Sequence, residues 1–393
     1  MVEVYSKAKQ KSISVERILF NIKGINKGPT VVFFGGIHGN EPAGIFALQS
    51  VFSDIDSSIV NGNIYAISGN LKALQEGKRY ISKDLNRVWT EEDIKNLLET
   101  NSIVSEHKEQ LDLYNLLNEI IESNKGPFYF IDLHTTSSKT IPFITINDAV
   151  INRKFSKQFP VPIVLGIEEY LNGPLLSYVN TLGYVSLGFE SGQHDSKKAI
   201  TNSISFINLV LMQTNSIKDN ELNEHYYYLK ESAKGVTDFF EVTYLHRIKN
   251  SDHFEILPSF KSFEKIKRGG LIAKHNNKEV VAKHSGRIFM PLYQKSGNEG
   301  FFIIRKIYPF FLSLSIFLRN IKADRLFTLL PGVSWYNKEK GTLKINLNTA
   351  KFYAKAIFHL LGYRSKEIDK THLFVTNRER VSKTKSYLNE KWF

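Results

Sequence analysis

Val31-Val32-Phe33-Phe34 is an unbroken apolar run that stops at Gly35-Gly36. A strand with one wet face alternates apolar and polar residues, so a run of this kind fits a strand buried on both faces. Such a strand needs helices above and below it, and the flanking sequence offers them. After Pro42, which suits a first helical turn, Ile45, Leu48 and Phe52 recur at helical spacing. Thr90 and Asp93 have the spacing of a capping box, opening a helix through Leu97 and Leu98. Leu113, Leu117, Ile120 and Ile121 share one face of another helix, which Gly126-Pro127 stops. Between these lie strand-like segments at Asn63 to Ile67, Phe128 to Leu133, Val161 to Ile167 and Tyr184 to Phe189, while Ser14 to Asn21 alternates like a half-exposed strand. The pattern predicts an α/β fold with a mixed, mainly parallel sheet and helices on both faces.

With 393 residues the chain is too long for one ordinary core. The expected division is a catalytic unit over 1–216, a smaller C-terminal β-rich unit over 235–305, and an extension over 306–393. The boundary rests on the polar stretch Ile217 to Lys234, which carries no strand signal. Beyond it come short, closely spaced strands with turn residues at Asn250-Ser251-Asp252, Gly269-Gly270 and Asn276-Asn277. The extension mixes apolar segments with a candidate helix at Thr349 to Leu361, and its Lys-rich end suggests no role. Ile307 to Leu318, between Lys306 and Arg319, is too short to span a bilayer. It reads as a buried element, with docking on a membrane surface as the alternative.

Hydrophobic residues at 42% and charged residues at 23% exclude a disordered chain. There is no cysteine, so any metal must sit on His and carboxylate. The net charge of +13 comes from scattered lysines without a basic run interleaved with aromatics, and no finger or helix-turn-helix spacing is present. It reads as a solvated basic surface that attracts anionic substrates, with neither nucleic acid nor membrane expected as partner. The first residues contain no apolar signal-peptide segment, and a cytoplasmic location is the expectation.

The chemistry concentrates at predicted strand ends. Gly35-Gly36-Ile37-His38-Gly39-Asn40-Glu41-Pro42 follows a buried strand and precedes a helix. That is the edge of an open α/β sheet where ligands bind. His38 and Glu41 are spaced to reach one cation, and imidazole with carboxylate suits zinc. Alone, such a pair is more often a surface hydrogen bond. The strand Phe128 to Leu133, however, ends in Asp132-Leu133-His134 and brings a third ligand type to the same edge. Two imidazoles and one carboxylate leave a coordination position for water. Arg79 to Arg87 supplies two arginines and Asn86, suited to a carboxylate or an oxyanion; the alternative is surface arginines paired with acids such as Asp84. Glu190, in Gly188-Phe189-Glu190-Ser191-Gly192, is either a general base or a sheet-edge glutamate.

Together the four segments resemble the succinylglutamate desuccinylase and aspartoacylase family, a branch of the zinc-carboxypeptidase fold, over roughly residues 20–305. The resemblance implies one zinc ion per chain on His38, Glu41 and His134, with Glu190 as general base and Arg79 polarising the scissile carbonyl. It implies that Asn86 and Arg87 bind the substrate carboxylate and that Asp84 accepts the free ring N–H of His38. A tyrosine from the smaller domain closes over the substrate in this family, and Tyr293 in Met290 to Gln294 matches that place. The implied activity is hydrolysis of a small anionic N-acyl amino acid. The state of assembly, homo-oligomers included, is left open. One departure stands out: where aspartoacylase has an arginine for the aspartate moiety, this chain has Asn180. A peptide-trimming metallocarboxypeptidase and a non-catalytic binding protein are the competing readings. Histidines outside the motifs, His194 among them, read as ordinary.

Overall fold

The computed structural model describes residues 1–99, 105–217, 222–249, 251–339, 341–349, 358–367 and 371–393. An 11-stranded mixed sheet runs through the molecule. At its centre Asn26–Gly35, Phe128–Thr136 and Val185–Gln193 run parallel. Asn61–Ser68 extends the parallel set on one side, and Ile18–Lys23 closes that edge antiparallel. On the other side Phe143–Ile146 runs antiparallel to Val185–Gln193, followed by Ile163–Leu165 and Phe239–Arg247. Val31 to Phe34 and every residue of Phe128–Thr136 are buried, as continuous apolar runs require. One core lies on each face of the sheet. The helices Ala43–Phe52 and Lys197–Gln213 pack into the first, and Ser105–Ser123 and Leu175–Thr181 into the second.

The strands of the 235–305 segment divide. Phe239–Arg247, Lys265–Ile266, Gly286–Phe289 and Glu299–Lys306 continue the central sheet, whereas Phe254–Ile256, Leu271–His275 and Lys278–Val281 form a small separate one. The polar stretch before them contains the helix Leu222–Ser232, with Leu229 and the following Ala233 buried.

Three local expectations change. The strand over Ser14 to Asn21 breaks. Lys11–Val15 pairs with Val2–Ser6 in a hairpin, and Ile18–Lys23 joins the main sheet. The corner between them is held by Arg17, which donates to the Ser68 carbonyl at 2.6 Å and pairs with Glu109. The segment Val161 to Ile167 keeps only Ile163–Leu165 as strand. Ile307 to Leu318 is not a buried element. It lies in the helix Pro309–Asn320, where only Ser315 and Arg319 are buried. The inward face is polar: Ser315 Oγ donates to the Leu360 carbonyl at 2.5 Å, and Arg319 Nη2 lies 3.1 Å from the Asp148 carboxylate. Phe310, Phe311 and Phe317 are left outside, while Leu312 and Leu318 are half-buried against neighbouring cores.

The candidate helix at Thr349 to Leu361 falls largely outside the described residues. Val333–Asn337, Thr342–Asn346, His372–Asn377 and Tyr363–Glu367 form a four-stranded sheet in that order. The chain end returns to the central sheet. The Tyr387 hydroxyl accepts from the Val185 N–H at 3.0 Å and donates to the Phe128 carbonyl at 2.5 Å, and Trp392 packs in the first core. Among the described residues no helix is long and apolar enough to cross a membrane.

Candidate metal centre

Gly35 and Leu133 are register partners on adjacent parallel strands, and so are His134 and Glu190. The strands therefore deliver His38, His134 and Glu190 to one sheet edge. Two glycines shape the turn between Gly35 and Glu41. Gly36 has φ of +68°, and a Cβ on Gly39 would fall 2.0 Å from the Ala73 backbone. A larger residue at 39 would push the His38 turn off its neighbour.

The loop bearing Arg79, Asp84, Asn86 and Arg87 is moulded around a buried carboxylate. Glu106, on the Ser105–Ser123 helix, accepts the backbone N–H groups of Ile81, Ser82 and Lys83 at 2.6, 3.0 and 3.2 Å. It also accepts from Asn70 Nδ2 at 3.2 Å, while Asn70 caps the helix Leu71–Glu76. Charge and backbone satisfaction together fix a segment that has little regular structure of its own.

His38, Glu41 and His134 are all buried, and one ligand atom of each lies within 4.8 Å of the others. His38 Nδ1 is 2.9 Å from Glu41 Oε1, and His134 Nδ1 is 3.1 Å from Glu41 Oε2. The remaining ring nitrogens face other carboxylates: His38 Nε2 is 3.2 Å from Asp84, and His134 Nε2 is 2.7 Å from Asp132. Glu41 also accepts the Thr135 N–H at 2.8 Å. Asp132 was not among the residues singled out from sequence. The signal was present, because residues two apart on a strand share a face and Asp132-Leu133-His134 has that spacing.

Arg79 donates from Nε to Asp84 at 3.0 Å, and its Nη1 lies 3.7 Å from Glu41. Asn86 Oδ1 accepts the Leu175 N–H at 2.9 Å. Arg87 donates from Nη2 to Glu299 at 3.1 Å. Glu299 comes from a strand two hundred residues downstream, and no local pattern marked it. Glu190 Oε2 and Asp132 Oδ1 are buried without a hydrogen-bond partner among the described residues. His194 lines the cavity too, with Nδ1 2.7 Å from Thr135 Oγ1 and Nε2 3.3 Å from Gln294. Tyr293 is placed differently. It is 40% exposed and absent from the cavity lining, and its hydroxyl donates to the Leu257 carbonyl at 2.8 Å. Asn180 also sits away from the lining, where it accepts from Asn152 at 3.0 Å and donates to Ser186.

The electrostatics divide the carboxylates. Burial opposes the charge on Glu41, but His38 and His134 overcome it and hold its carboxyl well below the usual range. Burial likewise opposes the charge on Asp84, and His38 with Arg79 holds it low. Glu190 goes the other way: burial lifts it to about 8 against the pull of His134, with the charges of Glu41 and Asp132 adding to the rise. One carboxyl poised near neutrality beside others held ionised is how a site separates a proton carrier from ligands.

Residues 27–205 match the succinylglutamate desuccinylase/aspartoacylase catalytic domain. A probable aspartoacylase of Acaryochloris marina is 30% identical over 125 residues, covering 31% of this chain and 40% of that protein. A succinylglutamate desuccinylase of Yersinia pestis is 37% identical over 62 residues, 15% of this chain and 19% of its own. The chain thus spans two fifths or less of the length of these curated relatives. Among solved structures, a succinylglutamate desuccinylase/aspartoacylase from Rhodobacter sphaeroides shares the fold with a TM-score of 0.58 at 16% identity, over 73% of this chain and 88% of that one. The ectoine utilization protein of Ruegeria pomeroyi gives 0.54 at 18%, over 72% and 87%. Over residues 27–205 the chain is thus similar to the catalytic domain of the succinylglutamate desuccinylase/aspartoacylase family, and it shares the fold of that family's solved structures.

Proposed function

We propose that the protein is a zinc-dependent hydrolase that cleaves the amide bond of a small N-acyl amino acid. The observation that carries this reading is the direction of the imidazoles. Each Nε2 faces an aspartate, and a neutral ring that donates its N–H there has a lone pair on Nδ1. Both Nδ1 atoms point at Glu41 oxygens. Lone pairs facing a carboxylate need a cation between them, and two neutral imidazoles with one carboxylate are a donor set that zinc accepts. A zinc ion held there would polarise the amide carbonyl and favour ionisation of water near neutral pH.

The protein groups then have distinct tasks. Glu190 is buried beside His134 and has a free carboxylate oxygen, so it takes the proton of the attacking water and returns it to the leaving nitrogen. Arg79, close to Glu41, stabilises the negative charge that builds on the carbonyl oxygen. Asn86 keeps its amide N–H groups for substrate because its Oδ1 is committed to Leu175. Arg87 binds the substrate carboxylate by exchanging Glu299 for it.

The deciding experiment is a turnover panel of N-acyl amino acids and short peptides with zinc-loaded protein. Hydrolysis of N-acyl amino acids supports the reading. Release of C-terminal residues from peptides alone would favour a carboxypeptidase, and binding without turnover would favour a non-catalytic role.

A further inference from the structure

The 306–393 segment holds 17 of the 52 Lys+Arg residues and 6 of the 39 Asp+Glu, so it accounts for +11 of the net +13. The excess survives setting aside Arg319 and Arg364, which are buried against Asp148. The same segment exposes large apolar side chains. Phe310, Phe317 and Ile321 are 68%, 58% and 57% exposed, and their spacing along the helix Pro309–Asn320 and its C-terminal cap puts them on one side. Leu326 and Leu329, in the following turn Ala323–Leu329, are 63% and 78% exposed. Lys322 and Arg325 sit between these groups, are exposed, and make no ion pair among the described residues.

We propose that this face docks on an anionic lipid surface, with the helix lying in the interface plane and Lys322 and Arg325 against the headgroups. A helix with aromatic and aliphatic side chains on one side and basic residues beside them suits that environment. A second copy of the chain would set like charge against like charge. Nucleic acid would meet the lysines but offers no apolar layer for Phe310, Leu326 and Leu329. The inference is independent of the catalytic reading.

The test is co-sedimentation of the full chain with vesicles of phosphatidylcholine alone and of phosphatidylcholine mixed with phosphatidylglycerol, at low and high salt. Binding is expected to the mixed vesicles only and to weaken with salt. F310S/F317S and, separately, K322E/R325E should each reduce it by at least about tenfold, because apolar insertion and headgroup attraction both contribute. All four positions are exposed, and unchanged thermal unfolding of the variants checks their folding. Absence of wild-type binding to mixed vesicles overturns the proposal, and so does binding that both variants retain. Self-association abolished by F310S/F317S, or RNA that competes with vesicles for this face, would replace lipid with another occupant.

Discussion

Two clusters of buried charge, both made largely of carboxylates and basic side chains, are built on opposite principles. Around Asp148 the carboxylates meet guanidinium groups. Arg153, Arg319 and Arg364 converge on Asp148, Arg319 also donates to Glu379 at 2.7 Å, and Arg364 to Glu169 at 2.9 Å. At the candidate centre Glu41, Asp84, Asp132 and Glu190 face two imidazoles, and Arg79 is the guanidinium that reaches both Glu41 and Asp84. The first cluster is electrostatically closed and ties the C-terminal segment to the rest of the chain. The second has fewer guanidiniums for its carboxylates, and among the described residues Glu190 Oε2 and Asp132 Oδ1 lack hydrogen-bond partners there, as Glu168 Oε2 does beside Arg364 in the first. Burying a charge is costly unless it is matched, and the proposed zinc ion would offset this imbalance.

The largest expected effect on activity comes from Glu190→Gln, which preserves shape and removes the base. Turnover should fall on the order of 10²–10⁴-fold with zinc content unchanged. Steady-state kinetics on metal-analysed protein would check it, and wild-type kcat would remove Glu190 from the mechanism.

Breaking the closed cluster should do the reverse, costing stability and leaving the site's metal in place. Asp148→Ala leaves buried Arg153 without a carboxylate partner among the described residues and takes one from Arg319 and Arg364, and it should cost about 3–5 kcal/mol, read by denaturant unfolding. The pH dependence has a definite sign. Burial works against ionised Asp148, but the three arginines hold its carboxyl well below the usual range. Its stabilisation is therefore fully present above the unfolded value of about 4 and is lost as pH falls below it. The variant should show a flatter acid limb than the wild type.

Asp132→Asn and Asp84→Asn probe the imidazole partners and should weaken zinc binding by roughly 10–100-fold. Competition with a chelator would measure this. Unchanged affinity in both would mean that the aspartates only fill space. Arg87→Ala should chiefly raise KM, and Arg79→Ala chiefly lower kcat, since the charge that Arg79 meets develops in the transition state. The smallest effect is expected from Tyr293→Phe. Its hydroxyl serves Leu257, so loss of about 0.5–1.5 kcal/mol of stability with near-normal kinetics is the outcome. A large fall in kcat would instead mean that Tyr293 leaves Leu257 to reach substrate.

Sequence was most informative where chemistry is local. His38 and Glu41 share one turn, His134 ends a strand whose apolar run is unmistakable, and the Thr90–Asp93 capping pair is observed in both directions at 3.1 and 3.2 Å. It was least informative where a partner comes from far along the chain. Glu106 shapes the loop of Arg79 to Arg87 from a separate helix, and Glu299 reaches Arg87 from a late strand. Neither stands in a recognisable pattern. The helix Pro309–Asn320 misled because apolarity indicates a preference for burial, while Arg319 and its carboxylate partners decide which face turns inward.

The measurement that bears most directly on the charge imbalance is zinc per chain in dialysed protein, by elemental analysis, for wild type, His38→Ala/His134→Ala and Asp148→Ala. One zinc per chain in the wild type and in folded Asp148→Ala, and almost none in the folded double-histidine variant, is the expected result. Full zinc in the double variant, or no zinc retained by the wild type after loading, would contradict the account.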